Sequence, residues 1–310
     1  MTHLISSSLQ PSSIPTYRRA WKLYRNFLFS TVGNPSSDFP IPPATLALFI
    51  AHLYQQNYAS STVNTYVSAL GYSHRLAGVS DPTKVFFILE MLKGYGKVDP
   101  RFDMRMPLSV PILTKIFQQC PSILDSHYVS TMFKAMCAMA FYAFLRIGEI
   151  TVTKQSPAVL QLRQLEKLST VRGDTEAIKV TFYSFKHHYN EPPLSVVLTR
   201  QPVVCPVDTL LVYLQFRGCR PGPIFQHLDG SPVTRSEFCD WLARAIKSCG
   251  LNPDRYKGHS FRIGAASHAA ECGYSETQIR LLGRWKSDAF KKYIRLPSLQ
   301  STPTCFSSPS

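Results

Sequence analysis

Apolar positions recur through the first hundred residues with the spacing of helices that share a core. Tyr17, Trp21, Tyr24 and Leu28 fall at i, i+4, i+7 and i+11, one helical face, with Arg18, Arg19, Lys22 and Arg25 beside it. Residues 33–43 are rich in turn formers, and Pro43 then opens a second helix through Leu46, Phe49, Ile50 and Leu53. Ser60 or Ser61 caps a third, which carries Val63, Tyr66, Val67 and Leu70 and stops at Gly78. A fourth follows Pro82 through Val85, Ile88, Leu89 and Leu92 to Gly94. These four make a helical domain over residues 13–97. Residues 98–107 are polar, contain two prolines and lack an apolar period, as a linker does.

Residues 108–295 form a second block in which the period changes. Ser109 and Pro111 begin a helix to Cys120, and residues 128–145 read as one long, mostly apolar helix. Near Ala177 the period drops to two. Ile178, Val180 and Phe182 alternate with polar residues, as do Leu194, Val196 and Leu198, and residues 189–193 supply a turn between them. That predicts a small antiparallel hairpin. Further helices are expected over 207–216, 234–249, 259–272, 276–282 and 288–295. Residues 296–310 are rich in Ser and Pro and read as a disordered tail. The fold class is mainly α, a four-helix domain followed by a mostly helical domain with a small antiparallel sheet. There is no internal repeat, P-loop or usable G-x-G-x-x-G.

Charge narrows the partners. The 310 residues hold 34 Lys plus Arg against 19 Asp plus Glu, a net charge of +15. Such a surplus points to a polyanion, because neutralising each phosphate releases condensed counterions. No apolar run approaches the ~18–20 residues that span a bilayer; the longest, near 132–145, is interrupted by Lys134. The polar, Ser-rich beginning has no signal-peptide pattern, so the chain is expected not to be secreted. The eight cysteines form no C-x-x-C pair and no zinc spacing, which fits free thiols in a reducing compartment. His187 and His188 lack a third ligand at usable spacing, and no paired carboxylates of the kind that hold Mg²⁺ accompany the basic motifs.

Three stretches carry chemistry. Arg146 stands three residues before Glu149, which can orient it and leave its guanidinium fork to an anion. His259 and Arg262 lie at i and i+3 in a first helical turn, where the dipole and free N–H groups favour an anion. In Gly283-Arg284-Trp285-Lys286-Ser287-Asp288-Ala289-Phe290-Lys291-Lys292-Tyr293, Ser287 can cap a short helix that carries Tyr293 among cations, where forming a phenolate costs less. Taken singly, each also fits a plain structural reading: a helix-end ion pair, a basic surface helix, or a tyrosine filling a groove.

Together, Arg146-x-x-Glu149, His259-x-x-Arg262, Trp285 and the late Tyr293 resemble the signature of the tyrosine recombinase family, the phage integrases and Cre-like enzymes. The final stretch is most similar to recombinases of eukaryotic mobile elements, the DIRS-type retroelements and cryptons. The resemblance covers residues 13–295 and implies a core-binding domain over 13–97 and a catalytic domain over 108–295. It also implies a hairpin lysine, best matched by Lys186 with Lys179 as the rival. The step from Trp285 to Tyr293 is about one residue shorter than in many bacterial integrases. The tail lacks the apolar period of the C-terminal helix that many relatives pass to a neighbour.

On this resemblance, Tyr293 attacks a phosphodiester to leave a 3′-phosphotyrosine, with no metal or other cofactor. Arg146 and Arg262 bind the non-bridging oxygens, His259 moves a proton, Lys186 protonates the 5′-oxygen, and Trp285 hydrogen-bonds the phosphate. Arg18, Arg19, Arg284, Lys286, Lys291 and Lys292 are expected to contact DNA. The expected partners are double-stranded DNA and three further protomers, a homo-tetramer on two DNA sites, in the nucleus if the source is eukaryotic and in the cytoplasm or nucleoid if bacterial. A type IB topoisomerase-like enzyme and an inactive, domesticated DNA-binding protein remain the alternatives. Binding to duplex DNA should lose log affinity with log salt at a slope of about 0.9 per phosphate neutralised. A nearly flat salt dependence in a titration series refutes the DNA-clamp reading.

Overall fold

The computed structural model describes residues 13–33, 39–101, 103–153, 159–169, 173–183, 185 and 192–295. Lys186, His187, His188, most of the 189–193 turn and the 296–310 tail lie outside the described residues. The chain divides into two compact units, Met1–Asp103 and Met104–Ser310.

Among its described residues the first unit has four α-helices: α1 (Ile14–Phe27), α2 (Pro43–Gln55), α3 (Ser60–Leu76) and α4 (Phe86–Val98). Its core joins Ala20, Tyr24 and Phe27 of α1 to Phe49, Leu53, Val63, Leu70 and Ile88. The buried seam of α1 is therefore rotated from the expected face. Tyr17 and Trp21 sit at its rim, where the Trp21 indole N–H donates to the Ser73 hydroxyl at 2.9 Å. Neither Ser60 nor Ser61 is the cap of α3, since Ala59 occupies that position without a side-chain bond. Gly78 does end the helix, at φ +69°, with Val79 N–H closing on His74 O. Gly94 does not end α4. The next residue, Tyr95, is buried and donates its hydroxyl to Tyr58 O at 2.5 Å, so tertiary anchoring carries the helix on to Val98. Leu89, expected inside, is exposed.

The second unit is built around α6 (His127–Tyr142), buried on nearly every side from Ser130 to Phe141, as a helix apolar all round must be. Packed on it are α5 (Val110–Ile123), α7 (Pro206–Arg217) and α9 (Ser260–Glu271). The helix α8 (Arg235–Ser248) lies on α5, and α10 (Glu276–Leu282) follows α9. Thr234 caps α8 with Glu237 in reciprocal bonds, and Ser275 caps α10 with Gln278 in the same way. Ser109 holds the cap position of α5 without a side-chain bond, and that helix runs past Cys120 to Ile123.

The sheet has three antiparallel strands rather than a two-stranded hairpin: β1 (Leu165–Ser169), β2 (Thr175–Phe182) and β3 (Leu194–Thr199), in that spatial order. Ile178 faces Leu198, Val180 faces Val196 and Phe182 faces the half-buried Leu194, and α7 packs against these strands. β1 is a largely exposed edge strand, so it carries no apolar alternation to betray it. Among the described residues no helix is long and apolar enough to cross a membrane.

One tight backbone approach in this unit is at Gly264. A Cβ there would sit 1.9 Å from Leu108 O, where the segment before α5 runs against α9 and Leu108 N–H bonds Ser260 O. Gly264→Ala should therefore destabilise by about 1–3 kcal/mol or more through overpacking against an unyielding carbonyl. Thermal unfolding of the variant at an unchanged Tm means that α9 is not so tightly docked.

Candidate active site

The site is assembled where two helices end. α6 stops at Tyr142, three residues before the expected end, because Phe144 adopts the left-handed conformation at φ +50°. Phe144 N–H bonds Phe141 O and Leu145 N–H bonds Ala140 O, the pattern of a helix stop that usually uses glycine. α10 ends the same way on another residue that is not glycine. Arg284 has φ +55°, with its N–H on Leu281 O and the Trp285 N–H on Arg280 O. A left-handed residue with a side chain costs roughly 1–2 kcal/mol, so both turns are held by what surrounds them.

What surrounds them is arginine. Arg262, on the first turn of α9, is 1 % exposed and donates from Nη1 to Phe144 O at 2.7 Å and from Nη2 to Gly283 O at 2.8 Å. Both acceptors lie at helix C-termini, where the dipole is negative. Two of five N–H donors are thus spent on the protein itself, and Nε has no hydrogen-bond partner. The guanidinium lies 4.3 Å from the centre of the Trp285 ring and 5.8 Å from that of Tyr293. Trp285 in turn folds back over Gly283, where any Cβ would fall 1.6 Å from the indole. Glycine is needed there for the close approach.

Arg146 leaves the Phe144 turn and opens a single 3-10 turn, Ile147–Glu149. Glu149 Oε2 accepts from Arg146 N–H at 2.9 Å and from Arg284 Nη2 at 2.8 Å, while Oε1 stands 3.5 Å from Arg146 Nη1. The expected orientation of Arg146 by Glu149 is present, but it runs mainly through the backbone. Arg146 keeps 30 % of its side chain exposed. Among the described residues, Glu149 is the only carboxylate that bonds any of these three arginines. Burial first, then the guanidinium groups of Arg146 and Arg284, push Arg262 down to about 9, and burial lowers Arg284 as well. The cluster is short of negative charge.

Tyr293 ends a 3-10 helix, Asp288–Tyr293, shorter than the helix expected over 288–295 and capped as expected by the Ser287 hydroxyl. Its ring lies 4.8 Å from His259 and 5.1 Å from Trp285, all within one chain. His259 occupies the cap position of α9. Phe290 is the buried anchor of the 3-10 helix. Ser267 of α9 donates its hydroxyl to Tyr293 O at 3.3 Å and accepts from Arg295 N–H at 2.8 Å. Arg146, Glu149, His259, Arg262, Trp285 and Tyr293 are therefore gathered in one place.

Other expectations fare differently. Arg284, expected to meet DNA, has a side chain that is 0 % exposed. It ion-pairs with Glu149 and lies 4.0 Å from the centre of the Phe182 ring, so it cannot reach a duplex surface. Lys291 pairs with Glu276 at 3.0 Å, whereas Lys286, Lys291 and Lys292 are all exposed on the segment leading to Tyr293. Lys179 is held across the sheet by Glu166 at 2.9 Å, and its rival Lys186 is outside the described residues. Phe185, the residue before it, lies 5.8 Å from the Arg284 guanidinium. Arg18 and Arg19 are exposed on α1; Arg18 lines a groove of about 500 Å³ with Trp21, Lys22, Arg25 and Tyr72. Among the described residues no three metal-capable side chains cluster. The roles of Phe144, Gly283 and Ser267 had no sequence signal, since two act through carbonyls and the third is an ordinary serine.

The chain has the fold of the tyrosine recombinases and integrases. It is similar to XerH site-specific recombinase, solved bound to a palindromic difH substrate as a post-cleavage complex, at 15% identity and a TM-score of 0.65 over 91% of this chain and 75% of that one. It is also similar to a lambda integrase dimer bound to a core site (15%, TM-score 0.61, 93% of each chain). A third likeness is to the Tn1549 transposon integrase in complex with transposon right end DNA (14%, TM-score 0.58, 88% and 85%). No protein-family model and no curated protein matches the chain.

Sulfate should stabilise the wild type more than Arg146→Ala, both compared with chloride at matched ionic strength. A ligand bound only to the folded state adds about 2.7 kcal/mol at a hundredfold excess over its Kd. The general salting-out effect of sulfate is common to both proteins. Equal rises in Tm mean that no anion site exists at Arg146.

Proposed function

We propose that this protein is a tyrosine site-specific DNA recombinase that cuts and rejoins duplex DNA through a 3′-phosphotyrosine on Tyr293. The observation that carries the reading is the placing of the Tyr293 ring against His259, Trp285 and Arg262, beside Arg146 and Arg284, which share the one carboxylate of Glu149. A phosphodiester is the anion such a cluster lacks. The likeness to recombinases solved on DNA supports the same reading.

In the proposed step the Tyr293 phenol oxygen attacks phosphorus and gives its proton to His259, whose ring lies 4.8 Å from that of Tyr293. The P–O5′ bond breaks, the 5′-oxygen takes a proton from Lys186, and the phosphoryl group stays on Tyr293. Arg146, whose side chain is partly exposed, and the unspent N–H groups of Arg262 hold the non-bridging oxygens as charge builds. Trp285 shields Arg262 and packs against the tyrosine, so its contribution is chiefly to position both. Ligation is the same step reversed, and the bond energy stored in the phosphotyrosine removes any need for nucleotide. The Tyr293 ring beside its own chain's Arg262 supports cleavage in cis. Two DNA sites and four protomers then exchange strands, and integration of a mobile element is the biological role we assign.

The test is a nicked suicide duplex incubated with wild type and Tyr293→Phe, with and without EDTA, followed by peptide mapping of any adduct. Wild type should form an adduct on Tyr293 in either condition and Tyr293→Phe none. Arg146→Ala should lose on the order of 10²–10³ in rate. His259→Ala should lose roughly 10²–10⁴. Mixing Tyr293→Phe with Arg146→Ala should restore nothing if cleavage is in cis. Cutting by wild type without attachment to DNA overturns the class; an adduct on Tyr256 or Tyr274 overturns the site.

A further inference from the structure

The most unexpected side chain in the molecule is that of Arg284. A cation on the basic segment leading to Tyr293 belongs at the surface, yet this one is fully buried, from a backbone in the left-handed region. Arginine is almost never buried without partners. Its partners here are the Ala143 carbonyl at 3.3 Å, the Phe144 carbonyl at 3.4 Å, Glu149 Oε2 at 2.8 Å and the Phe182 ring. Arg284 thus grips both sides of Arg146: the turn before it and the acid after it.

The division of Glu149 between its two arginines is uneven. Arg284 takes the short bond to Oε2, an oxygen that also receives Arg146 N–H. The other oxygen stands 3.5 Å from Arg146 Nη1, and neither of those two atoms has a hydrogen-bond partner. An unrestrained carboxylate beside Arg146 would form the parallel two-bond pair that arginine and carboxylate prefer. Held by Arg284, it does not, and the Arg146 fork stays open on its exposed side.

We propose that Arg284 is a positioning residue: by tethering Glu149 and the Phe144 turn, it keeps the Arg146 guanidinium from being neutralised and aims it at the scissile phosphate. This rests on the function proposed above. Arg284 itself touches no DNA. A lysine cannot replace it, because one ammonium group on a flexible stem cannot meet two carbonyls and a carboxylate in the fixed geometry of the fork.

Two variants remove the tether without altering the net charge of the cluster: Arg284→Lys, and the double variant Arg284→Met with Glu149→Gln. The double variant removes the buried Arg284–Glu149 ion pair as a whole rather than one member of it, so it remains informative should Arg284→Lys fail to fold. Both should form the Tyr293 adduct at saturating DNA about tenfold to a hundredfold more slowly than wild type, the loss usual for a displaced supporting group. Duplex affinity and its salt slope should not change. Both should also lose at least half of the extra sulfate stabilisation of the full-length protein, a readout that does not depend on DNA cleavage. Wild-type adduct rates in both variants would mean that only the charge matters and overturn the proposal. Weakened duplex binding with a smaller salt slope would make Arg284 a DNA contact and overturn it as well. If wild type forms no adduct at all, the recombinase reading falls, and the sulfate measurement still decides the tether: an undiminished response overturns it and a diminished one supports it.

Discussion

The second unit depends on holding Arg262 away from water. Moving an unpaired charge into a protein interior costs several kcal/mol, and only good hydrogen bonds and a favourable field offset that. The fold supplies both by bringing the ends of α6 and α10 to opposite sides of one guanidinium, each offering a carbonyl at the negative end of a helix. Phe144 is forced into a conformation that phenylalanine avoids, and Arg284 does the same after α10. The strain is local and the compensation is shared: the Phe144 carbonyl serves Arg262 and Arg284 together. Three separate stretches of chain are pinned to one another by these bonds.

Such a site is preorganised rather than merely positive. A surface patch of lysines adjusts to any anion, and its charges are screened by salt. Here the walls are the rings of Phe144, Trp285 and Phe290, and the donors are fixed by carbonyls that cannot turn away. Fixed donors aimed at developing charge need no reorganisation during a reaction, which is the largest electrostatic advantage that a protein has over water. The charge imbalance around Glu149 is what an incoming phosphate would relieve.

How far this was legible in the sequence follows from the kind of interaction involved. Arg146, Glu149, His259, Arg262, Trp285 and Tyr293 could be picked out because their side chains carry the chemistry and their order along the chain carries a resemblance. The helical periodicity and the β2–β3 alternation were visible because each buries a stripe. The edge strand β1 was invisible, being mostly exposed on both faces. The end of α6 was misplaced because a left-handed Phe144 looks like any other apolar residue in an apolar run. Arg284 was assigned to the surface because its neighbours Lys286, Lys291 and Lys292 are there, and nothing in one dimension says that this turn faces inward. Where backbone carbonyls are the functional groups, residue identity carries no signal.

The same helix, α9, bears on both halves of the proposed reaction. His259 caps it and Arg262 lies in its first turn, and Ser267, little more than a turn beyond Arg262, holds the Tyr293 carbonyl and the Arg295 N–H. A nucleophile and its phosphate clamp must agree in position to a fraction of an ångström, and attaching both to one rigid element limits their relative error. The element that carries the tyrosine is short, a six-residue 3-10 helix with one fully buried side chain, Phe290. Few buried apolar contacts mark a segment that opens at low cost. That combination suits a transesterification, in which the tyrosine must be aligned for attack, carry a DNA end while strands exchange, and be aligned again for release.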